Sequence, residues 1–278
     1  MKIIKHSGDI VDFNRDKLKQ SLLKSGASKH EVSDVLQTIE KEIYEGISTK
    51  QIYKLAFSLL KKTSNSHAAR YNLKAAIQLL GPAGFFFEKY IARLFASEKY
   101  KTVTNLTLFG KCVSHEIDVL AQKNDAISMI ECKFHVGRDV ASDVKVPMYV
   151  LSRFNDLKER KQSIFTNKDM VTKCWIVTNN RFTTDAVDFA KCMGLNLLSW
   201  NYPENNSLKT KNDENCLYPV TCLTTLSIAE KEKLLILDVI LVKELVNNSD
   251  PLERIGLSSN RIKNVLREAS ELCKRDLN

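Results

Sequence analysis

The chain has 278 residues, 44% of them hydrophobic and 27% charged, with 42 Lys and Arg against 33 Asp and Glu for a net charge of +9. That length predicts one large domain or two to three small ones, the apolar content argues against wholesale disorder, and the cationic excess favours a polyanionic partner. No apolar run approaches the ~20 residues of a membrane span, and the start has no apolar stretch of signal-peptide length. The seven cysteines are scattered and form no C-x-x-C, which argues against a zinc site or a disulfide framework and fits a reducing cytoplasm. The charge is uneven. Residues 1–80 carry 14 basic and 8 acidic side chains, residues 81–200 carry 17 and 13, and residues 201–278 carry 11 and 12. The surface that seeks anions therefore belongs to the first two segments.

Ile3-Ile4 and Ile10–Phe13 flank His6-Ser7-Gly8-Asp9, the pattern of two short strands around a Gly turn. Asn14 is a candidate N-cap for a helix carrying Leu18, Leu22 and Leu23, with Asp16 near the positive end of its dipole. Ser28 caps a second helix with the stripe Val32, Val35, Leu36, Ile39 and Ile43. Ser48-Thr49 precedes a third with Ile52, Tyr53, Ala56, Phe57 and Leu60, and a fourth is expected from His67 to Leu80.

This hairpin and four-helix order resembles the ATP-cone, the regulatory nucleotide-binding module of ribonucleotide reductases and their repressor. The resemblance rests on Ile3-Ile4-Lys5-His6-Ser7-Gly8, Phe13–Leu18, Gly46-Ile47-Ser48-Thr49 and Ala68-Ala69-Arg70-Tyr71. It implies that ATP or dATP binds between the hairpin and the helices, lined by Ile3, Lys5, His6, Asn14, Lys17 and Thr49. Lys5 and Lys17 are point charges suited to phosphates, and Asn14 and Thr49 can hydrogen-bond a base or ribose. His6 stands where the family usually has Arg, and Val11 where a carboxylate is common. The alternative is a small helical domain with a solvated basic face.

Leu80-Gly81-Pro82-Ala83-Gly84 is a strong break. Beyond it the expected order is α-β-β-β-α-β-α-β. A helix from Phe85 to Phe95 contains Glu88. Strands follow over 103–109, 113–120 and 126–134, then a long helix over 142–159, a buried strand over 174–178, a helix over 183–192 and a strand over 195–200. Alternation along the hairpin puts Ile117, Val119, Ile130 and Cys132 on one face and gathers Glu116, Asp118, Glu131 and Lys133 on the other. Folding about Lys123-Asn124 places residue 116 roughly opposite 131, with Asp118 and Glu131 as diagonal neighbours. Two bare carboxylates ~4 Å apart repel by about 4 kcal/mol at an effective dielectric near 20. A hard divalent cation between them, Mg²⁺ or Mn²⁺, reverses that sign. Lys133 would then hold or polarise an attacking water. The bland alternative is the wet face of an antiparallel hairpin.

Glu88, Glu116-Ile117-Asp118, Glu131-Cys132-Lys133 and Trp175–Asn180 in that order resemble the PD-(D/E)XK nucleases, most nearly the Mrr-type restriction endonuclease-like group, with Holliday-junction resolvases as relatives. The resemblance implies metal-dependent hydrolysis of DNA phosphodiesters. Asp118, Glu131 and the backbone carbonyl of Cys132 would be the metal ligands, Lys133 would activate water and Glu88 would be an accessory acid. Glu116 departs from the family, which has a small or apolar residue there. No counterpart appears for the Gln that such enzymes often carry on the long helix; Lys145 and Tyr149 lie in that region.

Residues 201–216 are polar and Asn-rich and read as a loop or linker. A helix is expected from Ser227 to about Val246, and Asp250-Pro251 starts another. The Gly256-Leu257-Ser258 turn then leads to a helix with Arg261, Lys263 and Arg267, either a helix-hairpin-helix or helix-turn-helix contact to DNA or a packing hairpin. The fold expected is a multi-domain α/β chain: residues 1–81 an ATP-cone-like regulatory domain, 82–202 a restriction-endonuclease-like α/β/α domain with a mixed sheet, and 203–278 a linker and helical region. The function expected is a cytoplasmic, metal-dependent DNA endonuclease regulated by ATP or dATP and acting as a homo-oligomer, a dimer or higher. The rivals are a non-catalytic, nucleotide-responsive DNA-binding regulator and a resolvase-like nuclease.

Overall fold

A computed structural model describes residues 1–5, 7–81, 84–137, 140–166 and 168–274. Contacts divide the chain into two compact units. One joins Met1–Ile77 to the chain from Tyr218 onward, and the other is Gln78–Leu217. The stretch 203–278 is therefore shared between the two units, where the sequence suggested a third segment.

In the first unit β1 (Lys2–Ile4) pairs antiparallel with β2 (Ile10–Asp12), Ile3 opposite Val11. Three helices follow, α1 (Arg15–Lys24), α2 (Lys29–Glu42) and α3 (Thr49–Thr63). Each starts at the expected cap. Asn14 accepts from the Lys17 amide at 2.8 Å, and Ser28 with Glu31 and Ser48 with Gln51 form reciprocal capping boxes that satisfy the orphan donors of the first turn. Leu22, Leu36, Ile39, Ala56 and Leu60 fill the core between the helices. The single helix expected from His67 to Leu80 is two, α4 (Asn65–Tyr71) and α5 (Leu73–Gln78). Asn72 interrupts it, and its side-chain oxygen accepts from the Tyr53 hydroxyl at 2.6 Å.

The second unit opens with α6 (Phe85–Ser97) and the strands β3 (Lys101–Phe109), β4 (Ser114–Lys123) and β5 (Ala126–Lys133). It continues with β6 (Ala141–Ser142), α7 (Lys145–Leu157), β7 (Val171–Thr178), β8 (Arg181–Phe182), α8 (Thr184–Cys192), β9 (Asn196–Leu198) and α9 (Leu208–Asn215). The main sheet has the order β3-β4-β5-β7-β9, antiparallel on the β3 side and parallel from β5 through β7 to β9. It is the mixed α/β sheet expected. Trp175 of β7 meets Phe95 of α6 on one face, 5.5 Å between ring centres. Cys174 and Ile176 on the other face pack with Val150 and Leu157 of α7 and Ala190 of α8. Strand β5 is central, and residues 127 to 131 are all buried. A wet hairpin face is thus absent: Ile127 and Met129, which share the Glu131 side of the strand, lie in the apolar core with α7.

The segment after residue 200 differs from the expectation in two places. Residues 201–216 contain α9, anchored by the buried Leu208 and by the Asn212 amide, which donates to the Tyr90 hydroxyl and to Leu217 O. Back in the first unit are α10 (Ile228–Ile236), α11 (Asp250–Arg254) and α12 (Ser259–Cys273). The helix expected to reach Val246 stops at Ile236, because Asp238 takes a left-handed φ of 62°. Beyond it the Glu244 carboxylate accepts from the amides of Ile240 at 2.8 Å and Leu241 at 3.3 Å, and the backbone pairs with Tyr218 and Val220 instead of continuing as helix. Polar bonds tie this region to the N-terminal helices. Thr221 Oγ1 donates to Ala76 O at 2.7 Å, and Arg70 donates to the carbonyls of Glu271, Leu272 and Lys274, which end α12. No helix among the described residues is long and apolar enough to cross a membrane.

Candidate active site and nucleotide cavity

The acidic cluster forms where β4 and β5 part company. The ladder pairs Val119 with Ile130 and Leu120 with Met129, and the same register sets Asp118 level with Glu131. The expected placement of 116 against 131 was thus two residues out. The turn accounts for this: it is the tight Lys123–Ala126 closure, with Asn124 at a φ of 54°. Beyond the last pair Asp118 Oδ2 accepts from the Cys132 amide at 2.7 Å, which fixes the Asp against the mouth of β5. Glu131 is 5% exposed. Lys133 Nζ, two residues on and therefore on the same side, donates to Glu131 Oε1 at 2.7 Å. Glu88 comes from the first turn of α6. The N-cap Gly84 of that helix has a φ of 78°, and a Cβ there would lie 3.6 Å from Glu88 Oε1.

Burial raises the Glu88 carboxyl to about 7, helped by the Asp118 and Glu131 carboxylates. Burial also raises Asp118 to about 6, with Glu131 adding to it and the Cys132 amide, Lys133 and Arg153 opposing. Expected catalytic residues Glu88, Asp118, Glu131 and Lys133 thus interact as one group. The Cys132 thiol is held protonated by burial and by the same carboxylates, so it offers no thiolate and only its backbone carbonyl could serve. Among the described residues no group of three or more His, Cys, Asp or Glu side chains is placed to hold a metal ion. Asp118 and Glu131 offer hard carboxylate oxygens, the donor type that Mg²⁺ or Mn²⁺ takes, and the Cys132 carbonyl is a further oxygen of that type.

Arg153 is the residue that sequence reasoning missed. It lies on α7, donates through Nη1 to Glu131 Oε2 and through Nη2 to the Glu116 carbonyl, and sits 5.6 Å from the centre of the Tyr149 ring. It stands eight residues beyond Lys145 and four beyond Tyr149, one further turn along the helix whose missing Gln was noted. Lys145 itself is exposed at the helix start. Glu116 is exposed, and its carbonyl is the group the site engages. The loop leaving β5 is pinned by Asn179, which accepts from the His135 amide and donates to the His135 carbonyl, both at 2.8 Å. Burial and Lys133 lower the His135 pKa below its ordinary value.

In the first unit a cavity of about 420 Å³ opens between the hairpin and the helices. Five of the residues expected to line a nucleotide meet there: Ile3, Lys5, Asn14, Lys17 and Thr49. His6 lies outside the described residues. Phe13, Tyr53 and Tyr71 complete an aromatic wall, of which the sequence pattern put Tyr53 on an apolar helix stripe, and the Tyr53 and Tyr71 rings are stacked at 4.9 Å. Asp12 also lines the cavity and is paired with Lys2 at 2.8 Å. Of the C-terminal basic residues, Arg261 is bound to Glu230 and to Thr225 O, and that contact holds the Glu230 carboxyl down at about 2.

Three family models match the chain: an ATP cone domain over residues 1–75, a restriction endonuclease over 82–201 and an AF1548-like C-terminal region over 218–273. An uncharacterized protein of Archaeoglobus fulgidus is 33% identical over 186 residues, which are 66% of this chain and 99% of that protein. The crystal structure of AF1548, a protein of unknown function, is 31% identical with a TM-score of 0.56, covering 68% of this chain and 97% of that one. Can2 from Sulfobacillus thermosulfidooxidans, solved in complex with cyclic tetra-adenylate, is 14% identical with a TM-score of 0.33, over 72% of this chain and 54% of its own.

Proposed function

The chain belongs to the family of AF1548, with a restriction endonuclease-like domain and an ATP-cone, and from that premise we propose a cytoplasmic, metal-dependent DNA endonuclease whose activity responds to ATP or dATP. The observation that carries the reading is the convergence of Glu88, Asp118, Glu131 and Lys133, with the first two acids raised to about 7 and about 6. Carboxyls raised by desolvation beside specific charge partners are the kind of group from which catalytic sites are built. When bound, a divalent cation supplies Lewis-acid activation of the scissile phosphate and its water. Asp118 and Glu131 hold the charge that recruits it. Lys133, oriented by Glu131, directs an N–H at the attacking water or at a phosphate oxygen as negative charge builds there. Glu88 near 7 is poised to exchange a proton at neutral pH. The DNA surface around this acidic centre must be more basic than the segment as a whole.

Nucleotide binding is assigned to the cavity bearing Lys5, Lys17, Asn14 and Thr49, with phosphates toward the lysines and a base against Phe13, Tyr53 or Tyr71. The coupling to cleavage is inferred from the fusion of the two domains, acting through homo-oligomer contacts.

The test is cleavage of duplex DNA with Mg²⁺ or Mn²⁺ by the wild type, Glu131→Ala and Lys133→Ala, each with ATP, dATP or neither. Both variants should lose at least about 100-fold in rate. Cleavage surviving both substitutions refutes the site, and indifference of rate and assembly state to both nucleotides refutes the regulation. One observation favours a non-catalytic DNA-binding regulator instead: both oxygens of Glu131 are taken, by Lys133 and by Arg153. Four-way junctions assayed beside linear duplex separate a resolvase from a general endonuclease.

A further inference from the structure

The positive charge around the acidic cluster is not shared evenly. Glu131 is bonded to two cations, Lys133 on Oε1 and Arg153 on Oε2, while the hydrogen bond found for the Asp118 carboxylate comes from a backbone amide. Arg153 is held on two prongs, its second N–H reaching the Glu116 carbonyl, and its side chain is only 12% exposed. A guanidinium so fixed fills one carboxylate oxygen and one carbonyl oxygen, which are donors of the kind a hard divalent cation uses.

We propose that Arg153 is a latch that competes with the divalent cation for Glu131, so that cation binding and release of Arg153 from the carboxylate are one exchange. The inference rests on the metal-dependent reading above and adds a positioning residue to it. A cation shared by Asp118 and Glu131 needs an oxygen of each. Lys133 is tethered to its oxygen from within the same strand, only two residues away, whereas Arg153 reaches the other from a separate helix. Oε2 is therefore the oxygen to be surrendered. A divalent ion on that carboxylate repels the guanidinium by several kcal/mol at ~5 Å and an effective dielectric near 20. Arg153 has a place to go: the face of Tyr149, a residue that is 60% exposed, already lies 5.6 Å from its guanidinium carbon. Without a cation the latch keeps a buried carboxylate compensated. With one, it frees an arginine at the rim of the site, facing the phosphate of a bound strand.

The test is Mn²⁺ affinity, titrated by calorimetry and by the electron-spin resonance of free Mn²⁺, on the full chain without DNA. Arg153→Met should bind Mn²⁺ about tenfold more tightly than the wild type, which is about 1.4 kcal/mol, and its melting temperature should rise more on adding Mn²⁺. Arg153→Lys keeps the charge without the fork and should fall between the two; it also carries the comparison should Arg153→Met fail to fold. Affinity unchanged or weaker in the variants overturns the latch and leaves the nuclease reading standing. Binding by Arg153→Met alone, with none by the wild type at millimolar Mn²⁺, supports it. Binding by neither overturns the latch and the metal site together.

Discussion

Replacing Asp118 by Asn tests the electrostatics of the site without using activity. The Asp118 carboxyl ionises at about 6 in the folded chain against 3.8 ordinarily, chiefly because it is buried and secondarily because Glu131 is beside it. Below pH 3.8 the proton is bound in both states and the fold carries no penalty. Between 3.8 and about 6 the unfolded chain releases the proton and the folded chain keeps it, so stability is lost at up to about 1.4 kcal/mol per pH unit. Above 6 the loss is complete, about 2–3 kcal/mol, and persists. Asn at 118 is uncharged at every pH, and its side-chain oxygen still accepts from the Cys132 amide, which Asp118 engages at 2.7 Å. The metal-free variant should therefore melt about 5 °C above the wild type at pH 8 and level with it at pH 4, followed by circular dichroism or calorimetry. Mn²⁺ should stabilise the wild type at pH 8 and do little for the variant. A variant that melts below the wild type at pH 8 refutes the claim that Asp118 is held charged at a cost, and with it the reason for expecting a cation there.

Glu88 titrates near 7, so Mn²⁺-supported cleavage should change across pH 6–8 as that carboxyl ionises, and Glu88→Gln should flatten the profile; an unaltered profile removes Glu88 from the mechanism. Gly110→Ala would place a Cβ 2.0 Å from Asp156 Oδ2, the oxygen bonded to His115 and the Val113 amide. The melting temperature should fall by about 5 °C, and a silent substitution would mean the β3–β4 turn yields freely. Lys17→Ala should weaken ATP and dATP binding about tenfold by equilibrium dialysis with little change in melting temperature, since Lys17 is exposed on the cavity wall. Glu268 is 1% exposed and accepts from the Thr224 amide and from the amide and hydroxyl of Thr225. Glu268→Ala leaves three donors without that partner and should destabilise the first unit by about 3 kcal/mol in urea denaturation, with the second unit unaffected.

Much of the local structure is legible in the sequence because its determinants lie within four residues of one another. Asn14, Ser28 and Ser48 announce helix starts through bonds to residues three positions on. Strands β3, β4 and β5 and the Glu131-x-Lys133 spacing follow from alternation, and two residues apart on a strand is enough to put Lys133 on Glu131. Where the local signal is ambiguous, the reading failed. The apolar stretch from Leu234 to Val242 contains no Gly or Pro to mark a break, yet Asp238 in a left-handed conformation ends the helix. The polar run at 201–216 hides α9, because Asn212 is buried through bonds to Tyr90, more than a hundred residues away.

By itself, then, the order of residues determined most of the elements, the motif that places two acids and a lysine near one another, and five of the side chains lining the cavity of the first unit. The tertiary structure alone decided what those groups experience. Burial of the two carboxyls themselves, on α6 and β4, together with the neighbouring Glu131 carboxylate, raises Glu88 and Asp118. A helix crossing the sheet brings Arg153 onto a carboxylate 22 positions earlier. Packing against α3, α4 and α5 gives the chain after Tyr218 its place beside the N-terminal helices. Charge cost and charge compensation depend on which surfaces are removed from water together, and that is a property of packing, which no periodicity along the chain encodes.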